Sequence, residues 1–243
     1  LTGQVSAEDE KYLTPEKPEG EEETDEEAEA REDREDREDR EAEANGKLGM
    51  VLQTYEQYEP AAVCYERARR LSPEEFRWVY YLAIVQDAAG KHAEAAQTFK
   101  DAIRLKGDYL PAQLRLADAL FADRQSNEAA KLYEKTTSFA QANYGLGRIK
   151  VAAGDHAAAA ESFKKAVELF PEYGAAHYAL GMALRNLGQT AKAQDHLALS
   201  QKFKDSRPPL NDPLLNAIAE LNSAASELLK RGVLFESTGN LSE

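Results

Sequence analysis

The chain has 243 residues, 42% of them hydrophobic, and carries 44 Asp or Glu against 30 Lys or Arg for a net charge of −14. Residues 1–45 hold 20 acids and 6 bases and the remainder 24 of each, so no basic footprint for nucleic acid exists, and phosphate or an anionic leaflet would repel the tail. One cysteine, Cys64, rules out an intramolecular disulfide or a thiolate zinc site, and no run reaches the ~20 apolar residues that span a bilayer.

From Leu1 to Gly20 the chain is polar, with Pro15, Pro18 and Gly20, and reads as loop or disorder. Residues 21–43 lack Gly and Pro and contain Arg31, Arg34, Arg37 and Arg40 three apart among acids. On a helix each arginine meets carboxylates three or four residues away, so a solvated charged helix leading into the next segment is expected beside the disordered, low-complexity alternative.

An internal repeat begins at residue 42. Leu48, Leu82, Leu116, Leu146 and Leu180 recur at spacings of 34, 34, 30 and 34, and Ala61, Ala95, Ala129, Ala159 and Ala193 follow the same spacings. Each leucine precedes a small residue (Gly49, Ala83, Ala117, Gly147, Gly181), and Tyr65, Phe99, Tyr133, Phe163 and Leu197 hold the matching bulky position later in each unit. Small against large lets two helices approach closely. Gly90, Gly154 and Gly188 lie where the chain must leave the first helix of a pair, the place for a left-handed glycine. The unit is a helical hairpin, and a fixed period of this length predicts a solenoid in which each unit buries its apolar face against its neighbours. Cys64 falls on an amphipathic helix of the first unit, where a small buried hydrophobe is expected.

At these residues the chain resembles the tetratricopeptide repeat family: a Leu-Gly or Leu-Ala pair, a small Ala and an aromatic on the second helix, and a closing Pro such as Pro171. The resemblance covers residues 42–207 as five units, 42–75, 76–109, 110–139, 140–173 and 174–207, and implies an all-α, right-handed α-solenoid of helix-turn-helix repeats. Two departures stand out. Glu56 replaces the turn glycine in the first unit, and the third unit is four residues short, about one helical turn taken from its second helix or the following loop.

After Ser206 the run Arg-Pro-Pro-Leu-Asn-Asp-Pro breaks the pattern. Asp212 and Pro213 then read as cap and first position of a helix carrying Leu214, Leu215, Ile218, Leu221, Leu228 and Leu229. Residues 208–243 thus divide into a Pro-rich break, a linker helix and a partial sixth repeat. The partial repeat ends one residue before the small position that would open its second helix. Its helix either is a cap with Leu229 and Phe235 turned inward on the fifth unit, or is covered by a partner or, through self-association, by a second copy, or the natural chain continues; continuation or coverage is the expectation.

No catalytic, cofactor or metal constellation emerges. His92, His156, His177 and His196 lie in separate units without triad or ligand spacing, and Gly145-Leu146-Gly147 falls inside a repeat helix rather than in a phosphate loop. The resemblance implies a concave groove lined by the first helices, taking extended peptides or partner helices. Projected onto it, Arg77, Tyr80, Tyr81, Arg115, Phe121, Tyr144, Arg148, Tyr178 and Arg185 form the candidate protein-binding set, with Ile84, Leu114, Asp118 and Met182 beside them. Tyr and Arg combine contact area with directional polar groups at binding hot spots. The Lys and Asn clamp of the family's chaperone-binding class is replaced by Gly46 and Met50.

The sequence therefore predicts a non-catalytic scaffold or adaptor that binds another protein or peptide, with no cofactor, no nucleic acid and no membrane insertion. A structural subunit or assembly platform of a larger complex, or an accessory segment of a longer enzyme, is the alternative. The acidic tail is expected to compete for a groove bearing four arginines. The chain starts at Leu1, which leaves the compartment open between the cytoplasm and an extracytoplasmic space reached with a cleaved leader.

Overall fold

A computed structural model of the chain describes residues 24–223. All regular structure among them is helical: α1 (Asp25–Thr54), α2 (Tyr58–Leu71), α3 (Phe76–Ala88), α4 (His92–Leu105), α5 (Leu110–Ala122), α6 (Ser126–Glu134), α7 (Ala140–Ala152), α8 (His156–Leu169), α9 (Gly174–Asn186), α10 (Thr190–Lys202), and α11, described over residues 213–223. Successive helices pack as antiparallel hairpins, each on the next, so the ten helices before α11 stack as a one-dimensional array of two layers. The half-repeat expected over residues 228–243 and the polar stretch before Thr24 lie outside the described residues.

The charged segment is helical from Asp25. Thr24 accepts from the Glu27 backbone amide while the Glu27 carboxylate accepts from that of Thr24, a capping box that closes the N-terminus of a 30-residue helix. Within α1 the acidic half is exposed, and burial begins at Ala42, Gly46 and Gly49, where α2 and α3 cover it.

The small-against-large pairing explains the helix contacts. A Cβ at Gly49 would stand 2.7 Å from the Tyr65 ring and one at Gly181 2.9 Å from Leu197 Cγ, while one at Gly147 would enter the Phe163 ring. A substituted residue at any of these positions would push the hairpin open. At the turns, Gly90, Gly154 and Gly188 adopt φ of +79°, +79° and +75°. Glu56 and Arg124 occupy the corresponding turns of the first and third units at φ of 57° and 63°, so the left-handed residue persists where glycine is missing.

The short third unit loses its residues from the second helix. α6 has 9 residues where α2, α4 and α8 have 14, and turns over residues 135–138 follow it. Tyr133 near its end packs so closely under α7 that Gly145 has no room for a Cβ. The buried core divides here into one cluster running from α2 to the start of α7 and a second from α7 to α10. Cys64 is buried in the first hairpin, and burial raises its thiol pKa. No described helix is long and apolar enough to cross a membrane.

Candidate protein-binding groove

The first helices α3, α5, α7 and α9 stand side by side, and their common face is the candidate groove. Its N-terminal half is already filled. After α10 the chain turns back and residues 208–218 run along α3, α5 and α7, with Leu210, Leu214 and Leu215 packed on the core and Ile218 within it. Gln141 Nε2 donates to the Pro208 carbonyl at 3.1 Å, and Tyr81 Oη donates to the Leu214 carbonyl at 2.9 Å.

Between these hooks lies Asp212, 3% exposed. Tyr80 Oη donates to its Oδ2 at 2.6 Å and Tyr109 Oη to its Oδ1 at 2.7 Å. Arg115 Nη2 lies 3.6 Å from Oδ2, and its Nε donates to Tyr80 Oη at 3.0 Å. The Leu215 amide of α11 completes the set at 3.2 Å from Oδ1, so one carboxylate caps its own helix and anchors it to the groove. Burial and the adjacent carboxylate raise the Tyr80 and Tyr109 pKa values, which keeps both as donors, and burial pushes Tyr81 up to about 12. Phe76 walls the socket, its ring 5.6 Å from Tyr80 and 4.9 Å from Tyr109.

The C-terminal half of the groove is open. A cavity of about 260 Å³ is lined by Tyr144, Arg148 and Val151 of α7, His156 and Phe163 of α8, and Tyr178, Met182 and Asn186 of α9. Arg148 lies 4.5 Å from the centre of the Phe121 ring and pairs with Asp118 at 3.3 Å, an arrangement that fixes its guanidinium at the junction of the two halves. Tyr144 packs between Phe163 and Tyr173, whereas Tyr178 is 54% exposed.

The nine candidate residues therefore divide. Tyr80, Tyr81 and Arg115 meet beneath residues 208–218, and Phe121, Tyr144, Arg148 and Tyr178 meet at the open end. Arg77 joins neither: it pairs with Glu43 at 3.1 Å and Glu75 at 3.0 Å and lies over the Trp78 ring. Arg185 is exposed on α9, outside the cavity. Sequence reasoning missed Tyr109, Gln141 and Asp212. The acid that reaches Arg115 comes from beyond the last repeat, whereas Arg77 meets Glu43 of α1 and Glu75, and Arg148 meets Asp118 of α5. The described part of the tail belongs to α1, where Asp39 accepts from Ser72 Oγ, and the rest of it lies outside the described residues. The four histidines also resolve differently from one another: His177 Nδ1 lies 2.9 Å from His196 Nδ1, and His92 Nδ1 2.7 Å from Asp87. Since His177 Nε2 faces the Pro171 carbonyl at 2.9 Å it must donate there, and a neutral His177 then accepts from His196. Among the described residues no group of three or more His, Cys, Asp or Glu could hold a metal.

Comparison with known proteins gives the same architecture. Over 80 residues the chain is 38% identical to human Tetratricopeptide repeat protein 7B, a match covering 33% of this chain and 10% of that protein, and the mouse protein matches equally. The chain thus spans about a tenth of the length of these curated relatives. Among solved structures, MamA 41-end from Desulfovibrio magneticus RS-1 superposes with a TM-score of 0.60 at 20% identity, covering 70% of this chain and 98% of that one. Pseudomonas aeruginosa PilF gives 0.58 at 15% identity with 84% and 95% covered. YrrB, described as a TPR protein with an unusual peptide-binding site, gives 0.54 at 19% with 73% and 93% covered. At these identities the likeness establishes the fold alone. Models of the tetratricopeptide repeat match residues 47–109, 88–145 and 150–209, and with the recurring glycine-aromatic pairs they show that the chain belongs to the tetratricopeptide repeat family.

Proposed function

We propose that the chain is a non-catalytic scaffold whose concave groove holds a peptide or partner segment. One observation carries this reading: the groove already holds a stretch of polypeptide, the chain's own residues 208–218, through aromatic hydroxyls, a guanidinium and an apolar floor. Those are the groups through which a foreign segment would be held. The peptide-binding site ascribed to YrrB gives the reading a parallel on a similar fold. On this view Tyr80, Tyr81 and Arg115 serve the covered half, Phe121, Tyr144, Arg148 and Tyr178 the open half, and Arg77 and Arg185 flank them. The test is affinity capture from the source cell with the full chain and with an Arg148→Ala/Tyr178→Ala double variant. Proteins retained by the first and lost by the second support the groove; identical captures place binding elsewhere on the molecule.

A further inference from the structure

We infer that Tyr80, Tyr109 and Arg115 form a carboxylate receptor for a partner helix capped by an acidic residue and followed by leucines, and that residues 208–223 are a tethered competitor for it. The inference rests on the groove reading above and adds the chemistry of the ligand. Three groove side chains converge on one carboxylate from α3, the α4–α5 loop and α5, and each addresses a defined oxygen: Tyr80 and Arg115 on Oδ2, Tyr109 on Oδ1. The fourth contact, from the Leu215 amide, belongs to the ligand helix itself. The receptor thus recognises a carboxylate that is already the cap of a helix. Leu214 and Leu215 in the first turn and Ile218 in the next then set one apolar stripe on the groove floor.

The mode of attachment separates this segment from the repeats. Side chains of Tyr80, Tyr81, Tyr109, Arg115 and Gln141 hold it, and among the described residues no backbone-backbone hydrogen bond joins it to the solenoid. Along the segment only Asp212 and Ile218 are buried, and Pro209, Asn211, Pro213 and Asn216 are exposed. A short connection from the end of α10 keeps its effective concentration on the order of millimolar, so a partner bearing the same features binds the intact chain more weakly than the freed groove.

The experiment uses the full chain and a fluorescent peptide of residues 208–223. Asp212→Ala in the protein should release the tethered segment and tighten binding of the peptide about tenfold or more. The same peptide with Asp replaced by Asn should lose that gain, and so should Arg115→Gln added to the Asp212→Ala protein. Equal affinity of the wild-type and Asp212→Ala proteins, or of the Asp and Asn peptides, would overturn the inference. A protease site inserted between Asp205 and Ser206 guards against misfolding, since the chain is cut only after it has folded. Exchange of the cut segment for excess labelled peptide supports a displaceable ligand, and retention against that excess makes it a fixed strap and refutes the inference. A wild-type chain that runs as a dimer by light scattering and exchanges segments between copies also refutes a tether acting in cis. If groove-dependent capture from the cell succeeds while these peptide experiments fail, the scaffold reading stands and the carboxylate chemistry falls.

Discussion

Tyr80 and Asp212, 132 residues apart in the chain, meet in a 2.6 Å hydrogen bond that ties the second repeat to the segment following the fifth. The phenol also accepts from Arg115, so deleting its hydroxyl unsettles two partners at once, the buried Asp212 and the half-buried Arg115. Tyr80→Phe keeps the ring against Phe76 and Tyr109 and should cost about 1.5–3 kcal/mol of stability, the range for a hydrogen bond to a charged group. Asp212→Ala additionally removes a helix cap worth about 0.5–2 kcal/mol. Urea denaturation separates two outcomes: a lower midpoint at unchanged slope for Tyr80→Phe, and a reduced slope for Asp212→Ala as the segment leaves the groove before the solenoid unfolds. A Tyr80→Phe midpoint equal to wild type would show that the bond contributes nothing.

The turn positions give a second expectation. Glu56 and Arg124 hold φ of 57° and 63° where other units place glycine, and left-handed backbone costs a residue with a Cβ about 1–2 kcal/mol. Glu56→Gly and Arg124→Gly should each stabilise by about 0.5–1 kcal/mol after the greater freedom of glycine in the unfolded chain is deducted. Conversely, Gly147→Ala drives a Cβ into the Phe163 ring and should destabilise by about 1–3 kcal/mol. Thermal melts of the three variants check both signs.

Much of this was legible in the sequence because repeats are local. The pairing of Gly49 with Tyr65, or Gly147 with Phe163, follows from a 16-residue separation within one hairpin, and the turn glycines follow from where that hairpin bends. Loss of one turn from the third unit was legible as a number, though not its assignment to α6. The groove was harder. Asp212 was readable as a helix cap, but its burial under Tyr80 and Tyr109 depends on where the chain travels after α10, and a run of prolines carries no periodicity to give that direction. Arg77 illustrates a signal available and unused: Glu43 lies 34 residues before it, one full repeat, so the two hold the same position in adjacent units and pair along the first helices.

His196 gives stability a pH dependence. Burial and the neighbouring His177 lower its pKa from the ordinary value of 6.5. Above pH 6.5 it is neutral in folded and unfolded chains alike and stability is full. As pH falls below 6.5 the unfolded chain takes up the proton first, so stability declines until the lowered folded value is passed. His196→Gln keeps a donor for His177 without titrating, and urea midpoints measured between pH 7.5 and 5.5 should fall less steeply for the variant than for wild type. Parallel slopes would assign the loss to other groups.

Tyr178 separates binding from folding at the open end of the groove. It is the large aromatic of the candidate set that stays exposed, at 54%, while Tyr144 beside it is fixed between Phe163 and Tyr173. Truncating a side chain with few packed neighbours changes stability by no more than about 0.5 kcal/mol, whereas loss of a central interface anchor costs about 2 kcal/mol or more of binding. Tyr178→Ala should therefore melt with the wild type yet bind a captured partner at least about 30-fold more weakly, since each 1.4 kcal/mol is a factor of ten. Tyr144→Ala should lower both, because its ring is part of the wall that shapes the cavity. Calorimetric titration alongside thermal melts distinguishes the cases: if Tyr178→Ala binds as wild type does, the open half of the groove is not where the partner is held.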